Sequence, residues 1–256
     1  MGVGPEEKGM TPAAPRILAA VVNHNTSAFC ELMVRSFFNA HPDLPNLSLR
    51  VYDNASDDDT APLRAYAAEK GVPFLPSGFT LASMNNSHGD VLRTFVLENP
   101  DCDYYLFLDA DTVFAQPGTI PRMLAELSAA PEAFAAVPRM SWDGETPYAG
   151  IEEIPEVYGE RLHPFCALVK NTPLFRAVVT EVGLFCVKFL WGDREEYLDT
   201  FKLMTRVMRT HGLRHLIASP LVIHFFSVSY EWDDPAVRQA KLAHRDTLLA
   251  RFRAFQ

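Results

Sequence analysis

Cysteine is scarce in this sequence, basic clusters are missing, and no long apolar run is present; each absence narrows the function. Of 256 residues only Cys30, Cys102, Cys166 and Cys186 are cysteines; they are widely spaced and form no C-x-x-C pair. Their mostly apolar surroundings argue for buried thiols over bridges or zinc ligands, and for a reducing cytoplasm. No stretch approaches the roughly 20 apolar residues that span a bilayer, so no integral membrane segment is expected. The formal net charge of -9 and a pI near 5.4 argue against a surface that neutralises nucleic-acid phosphates. An anionic ligand would need local help from a cation. Residues 1–15 mix Gly, Pro and charge without an apolar signal core, and Glu6 breaks the myristoylation pattern, so they are expected to be a flexible leader.

With 48% hydrophobic and 21% charged residues, the remainder can bury one large core, and residues 16–256 are expected to form one domain. Short β-branched and aromatic runs at Ile17 to Val22, Leu47 to Asp53, Val72 to Leu75 and Tyr104 to Leu108 alternate with helical patterns. Such alternation predicts an α/β fold with a mostly parallel sheet flanked by helices. Phe29, Leu32, Met33 and Phe37 recur at helical spacing behind the capping candidates Thr26 and Ser27. The polar turn Ala55 to Thr60 is expected to start a helix through Arg64 and Tyr66. Later segments predict a helix at Ile120 to Ser128, strands at Ala133 to Val137, Cys166 to Lys170 and Leu221 to Phe226, and a helix at Tyr197 to His211 stopped by Gly212. Val237 to Phe252 reads as a charged closing helix.

Ligands of open α/β sheets bind beyond the carboxyl ends of strands, and the apolar run Tyr104 to Leu108 ends in Asp109-Ala110-Asp111. Side chains two apart on extended chain point the same way, so both carboxylates can face one divalent cation, which in turn neutralises a diphosphate. The same two residues can instead merely cap the turn before Thr112.

Several separate blocks resemble the GT-A fold glycosyltransferases, nearest the inverting family-two type: Val21-Val22-Asn23-His24-Asn25-Thr26, then Asp53-Asn54-Ala55-Ser56-Asp57-Asp58, then Asp109-Ala110-Asp111. The resemblance implies a Rossmann-like, mixed and mostly parallel sheet, with residues 16–115 as the nucleotide-binding half and 116–256 as the acceptor-binding and catalytic half. It implies a nucleoside-diphosphate sugar as donor, an unidentified hydroxyl acceptor, and Mn²⁺ or Mg²⁺. By position, Asp53 and Asn54 would meet the nucleobase side, with Asn23 and Asn25 lining the ribose and base pocket; Asx-turn capping is the alternative for Asn25 and Asp58. Met84-Asn85-Asn86-Ser87-His88-Gly89 resembles a stretch that members place over the nucleotide, making Asn86 a candidate contact, with helix capping as the alternative. Asp109 would reach ribose and metal, Asp111 the metal, and His224 would add a ligand from a late strand. A lone His amid Val222, Ile223, Phe225 and Phe226 is otherwise a satisfied core residue.

Inverting transfer needs a carboxylate that deprotonates the acceptor hydroxyl opposite the departing diphosphate. The resemblance assigns this to Asp199, expected at a helix start, with Asp193, Glu195 and Glu196 as competitors. Trp142, Tyr148, His163 and Trp191 fall in the variable region where acceptor sites form, and they are equally suited to packing. Two rivals stand beside this reading. Leu106 to Val113 also resembles the nucleophile motif of haloacid-dehalogenase-like phosphatases, with Asp109 as nucleophile and Lys170 near the phosphate. Against it, a full set of βα units precedes the motif and Asp53-Asn54 is left unexplained. The other rival is a sugar-nucleotide-binding protein without a working base.

Overall fold

The computed structural model describes residues 14–79, 87–148, 159–226, 228 and 234–254. Most of the expected leader, residues 1–13, and the candidate Asn86 lie outside the described residues. The first half alternates as the sequence predicts: β1 (Ile17–Asn23), α1 (Ser27–Ala40), β2 (Leu47–Asp53), α2 (Ala61–Glu69), β3 (Phe74–Pro76), α3 (His88–Glu98) and β4 (Tyr104–Asp109). A short β5 (Thr112–Val113), α4 (Thr119–Ser128), β6 (Ala133–Ser141), β7 (Cys166–Lys170) and α5 (Pro173–Glu181) follow. The chain then forms β8 (Val187–Trp191), β9 (Arg194–Leu198), α6 (Lys202–Thr210), β10 (Arg214–His224) and α7 (Pro235–Ala254).

Eight strands make one sheet in the order β3-β2-β1-β4-β7-β6-β10-β5. The pairings set β1, β2, β3, β4, β6 and β10 in one direction, while β7 and β5 run against them. The carboxyl ends of β1, β2, β4 and β10 therefore gather on one edge, together with the start of β7. Strands β1 and β4 are buried on both faces, which is why they read as unbroken apolar runs. All four cysteines are free and buried.

The expected helix from Tyr197 divides into a strand and a shorter helix. Tyr197 and Leu198 close the hairpin β8–β9, whose arms, among the described residues, pair only with each other, and α6 begins at Lys202. Gly192 holds φ at +64° in the two-residue turn between the arms, a conformation that tight hairpins require and glycine adopts without a Cβ clash. Met204, Thr205 and Met208 of α6 are buried as the periodicity predicts. The last strand, β10, is longer than expected because it follows β6 through a bulge.

Two packing details fix the edge where the strands end. Glu31 of α1, with its side chain 2% exposed, accepts from Arg35 Nε at 2.8 Å and from Arg253 Nη2 at 2.5 Å, so α7 is clasped to α1. Burial alone would raise the Glu31 carboxyl; the hydrogen bonds from Arg253 and Arg35 hold it below its ordinary range. At the start of α3, a Cβ on Gly89 would stand 2.3 Å from Phe185 Cα and 2.5 Å from Leu184 O. Backbone cannot yield as a flexible side chain does. Gly89→Ala is expected to lose stability at or above the upper end of the about 1–3 kcal/mol typical of overpacking, read as a lower urea midpoint with unchanged slope.

Candidate active site

Asp109 closes β4 and Asp111 follows it into the turn, where the backbone is tied down on both sides. Asp109 N and Thr112 Oγ1 both donate to Phe165 O, at 3.0 and 2.7 Å, and Phe225 N donates to Asp111 O at 3.3 Å. Residue 224 pairs with Thr112 across β10 and β5, so the end of β10 delivers His224 to the same point. Its Nε2 lies 3.3 Å from Asp111 Oδ1 and 3.7 Å from Asp109 Oδ2. One ligand atom from each of Asp109, Asp111 and His224 falls within 4.8 Å of the others. The imidazole is 3% exposed, stacked on Phe165 at 4.9 Å and packed against Phe226 at 4.2 Å. Those apolar neighbours hold the ring in place while its Nε2 edge faces the carboxylates.

Burial, reinforced by the neighbouring Asp111 charge, pushes the Asp109 carboxyl up to about 7, although His224 and Arg161 pull the other way. Two carboxylates crowded in one recess repel each other, and a divalent cation between them relieves that repulsion. Two oxygens and one imidazole nitrogen form a donor set that suits Mn²⁺ or Mg²⁺, with room left for ligand oxygens.

Beside this cluster, the ends of β1 and β2 form a hydrogen-bonded shelf. Asn23 is fully buried: Nδ2 reaches Ser27 Oγ and Asp53 Oδ1 at 2.9 Å and Ser56 Oγ at 3.0 Å, while Thr26 Oγ1 donates to its Oδ1 at 3.1 Å. With both ends of its amide taken, Asn23 lies beneath the shelf and orients Asp53. Asn54, also buried, donates to Ser87 Oγ at 2.6 Å and accepts from Ser77 Oγ at 2.7 Å, linking β2 to the start of α3. Asn25 stays exposed at φ +52°, with its Oδ1 accepting from Asp57 N at 2.7 Å. The expected Thr26 cap does not form. Asp58 takes that role from the neighbouring turn, accepting from Ser27 N at 2.8 Å and Ser27 Oγ at 2.7 Å, which satisfies an orphan donor at the start of α1.

Asp199 follows β9 and precedes α6 by three residues; it does not open the helix. Its Oδ1 accepts from Thr200 N at 2.7 Å and from Cys186 Sγ at 3.3 Å, and its Oδ2 pairs with Arg161. Burial alone would raise this carboxyl, but the Arg161 charge and the Thr200 N–H bring it below the usual aspartate range. The three competing acids sit on the hairpin: Asp193 in its turn, Glu195 paired with Lys188 at 2.7 Å, and Glu196 paired with Arg206 at 2.8 Å. Asp199 is the one of the four whose charge acts on His88 and Asp109.

Three further residues belong here: Arg161 and Cys186, for which the sequence suggests no site role, and His88, whose imidazole lies in the stretch expected over the nucleotide as a candidate donor to ribose or phosphate oxygens. Arg161 enters just ahead of β7, and its charge is felt by His88, Asp109, His163 and Asp199. His88, at the start of α3, has Nε2 3.7 Å from Asp109 Oδ1, and burial lowers its imidazole to about 4, so it is neutral at pH 7. Cys186 supplies the thiol that touches Asp199. Of the four aromatic candidates, His163 packs against His224 at 5.4 Å and Tyr148 against Phe226 at 5.8 Å. Trp142 instead stacks on His244 of α7 at 5.0 Å, and Trp191 is 65% exposed near the hairpin turn. Lys170 lies at the far end of β7, where Nζ donates to Ala130 O at 3.0 Å, away from the carboxylates it would serve in a phosphatase.

The family model described as glycosyl transferase family 2 matches residues 19–185. Among solved structures, a mannosyltransferase from Pyrobaculum calidifontis in complex with GDP-Man and Mn²⁺ is similar in fold. Its TM-score is 0.59 at 14% identity, over 95% of this chain and 74% of that one. Glucosyl-3-phosphoglycerate synthase from Mycobacterium tuberculosis, in complex with Mn²⁺, UDP and phosphoglyceric acid, gives a TM-score of 0.54 at 16% identity, over 93% and 79% of the two chains. The same enzyme with Mg²⁺ and UDP gives 0.53 at 15% identity, over 93% and 80%. At these identities the likeness establishes the fold. No curated protein matches the chain in sequence.

Proposed function

The chain belongs to glycosyl transferase family 2, and from that premise we propose that it moves a sugar from a nucleoside-diphosphate sugar to an acceptor hydroxyl with inversion at the anomeric carbon. The observation that carries this reading is the convergence of Asp109, Asp111 and His224 on one point, with Asp199 within electrostatic reach of it. Residues 16–115 hold the nucleotide: Asp53, oriented by Asn23, accepts from the nucleobase, Asn54 fixes the turn beside it, and Asn25 borders the ribose. By the same resemblance Asn86 would add a contact to the nucleotide. Residues 116–256 supply the acceptor side and the base, although His224 from this half also completes the metal site.

Asp109, Asp111 and His224 would hold Mn²⁺ or Mg²⁺, which when bound neutralises the diphosphate as charge builds on it. The complexes of the similar mannosyltransferase and synthase with these ions support the choice. Asp199 takes the acceptor proton as the new glycosidic bond forms and the bond to the diphosphate breaks. The carboxylates at 109 and 111 hold the leaving group; they do not attack, so the phosphatase alternative falls with the family assignment. Among the described residues no helix is long and apolar enough to cross a membrane, and four free buried thiols support a cytoplasmic setting.

Thermal denaturation with UDP, GDP or dTDP, with Mn²⁺ or after chelation, tests the reading. One nucleotide at 100 times its Kd should add about 2.7 kcal/mol of stability, seen as a rise in Tm that chelation removes. No metal-dependent shift with any of the three would sink the proposal.

A further inference from the structure

Both oxygens of Asp199 are engaged in this state of the site. Thr200 N and Cys186 Sγ hold Oδ1, and Arg161 covers Oδ2, the oxygen left to receive a proton. A base so capped is a poor one. Arg161 is nonetheless not confined to Asp199, since its charge also reaches Asp109, beside which a diphosphate would lie. The Arg161 side chain is 12% exposed and the Asp199 side chain it pairs with 45% exposed, so water on the Asp199 side weakens the pair.

Three carboxylates, Asp109, Asp111 and Asp199, carry formal charge -3 around the site against the +1 of Arg161, whose charge acts on Asp109 and Asp199. A divalent cation brings the sum to zero, and a donor diphosphate then adds about two negative charges in its place. A planar guanidinium fork fits a diphosphate as well as it fits a carboxylate. Resting on the transferase reading above, we propose that Arg161 is a two-position residue: it caps Asp199 while the donor is absent and passes to the donor diphosphate when that binds. The exchange bares Oδ2, which then receives the acceptor's proton while the diphosphate leaves with the electrons of the broken bond. Arg161 is thus a positioning residue for the base, and Asp199 is basic only in the donor complex.

The two ligands of Arg161 compete, so removing one strengthens the other. Titration calorimetry with UDP, GDP or dTDP and Mn²⁺, whichever binds the unmodified protein, reads this directly. Asp199→Asn should tighten the nucleoside diphosphate about tenfold when Arg161 is present, the coupling size usual for charges that share a partner. In the Arg161→Gln background the same change should tighten it at most about twofold, the general effect of one less negative charge. Arg161→Met keeps the aliphatic stem and serves as the second background should Arg161→Gln not fold. Equal factors in the two backgrounds overturn the exchange while leaving the transferase reading intact. If none of the three nucleotides binds the unmodified protein, the transferase reading itself fails and the exchange with it.

Discussion

Asp111→Asn is expected to lower transfer by on the order of 10³-fold and to abolish the metal-dependent part of nucleotide binding. The substitution keeps the size and hydrogen-bonding shape of the side chain and removes one negative charge from a recess that is 6% exposed. His224 and Asp109 remain, but a hard divalent cation held by one carboxylate and one imidazole is held weakly. Folding should survive, because Asp109 loses the like charge that helps push its carboxyl up. Steady-state kinetics over a Mn²⁺ titration, with the ligand-free Tm as folding control, checks the prediction. Near-normal transfer at ordinary Mn²⁺ concentration would show that Asp111 does not hold the metal.

Asp199→Asn is expected to separate binding from chemistry. Removing a positioned general base costs typically about 10²–10⁴-fold, so kcat should fall by that range while the nucleotide still binds. The amide can accept from Thr200 N as the carboxylate does, so the local backbone should keep its place. Donor hydrolysis without acceptor, measured beside nucleotide affinity, distinguishes the outcomes. Loss of turnover with binding retained supports the base; full turnover would move that role to another group; and absence of turnover in the unmodified protein as well would favour the non-catalytic binder.

What the sequence made legible were residues at strand ends. Asp109 and His224 each terminate a buried apolar run, with Asp111 two residues past the first, and a polar side chain at such a place has few explanations besides the crevice it faces. Asn23 has the same signature, yet the structure spends its amide on Asp53, Ser27 and Ser56. Sequence marks a polar group as buried at a strand end but cannot count the partners that satisfy it. Arg161 was hidden for the opposite reason. It lies in irregular chain ahead of β7, where no periodicity says which way a side chain turns, and only the antiparallel pairing of β7 with β4 brings that chain to the carboxylates. The hairpin does carry a sequence signal, since Gly192-Asp193 between two arms of alternating pattern is a turn dipeptide. The helical spacing of Leu198, Phe201, Met204 and Met208 extends the expected helix backwards over Tyr197 and Leu198, the last two residues of the hairpin. All four are buried, so the hydrophobic signal was real; the positive φ of +69° at Phe201 breaks the helix that would otherwise join them.

The hairpin β8–β9 has a consequence of its own for how this protein can vary. Its ladder closes on itself, and Leu190 and Trp191 near its turn are 71% and 65% exposed. Substitutions there remove little buried area and break no bond of the eight-stranded sheet, so they cost little stability. A lineage can therefore rewrite the outer end of the hairpin, in length or in side chains, while Leu198 at its root and Asp199 beyond it stay fixed by the core. New surface specificity can be tried at this point of the fold without putting Asp109, Asp111 and His224 at risk.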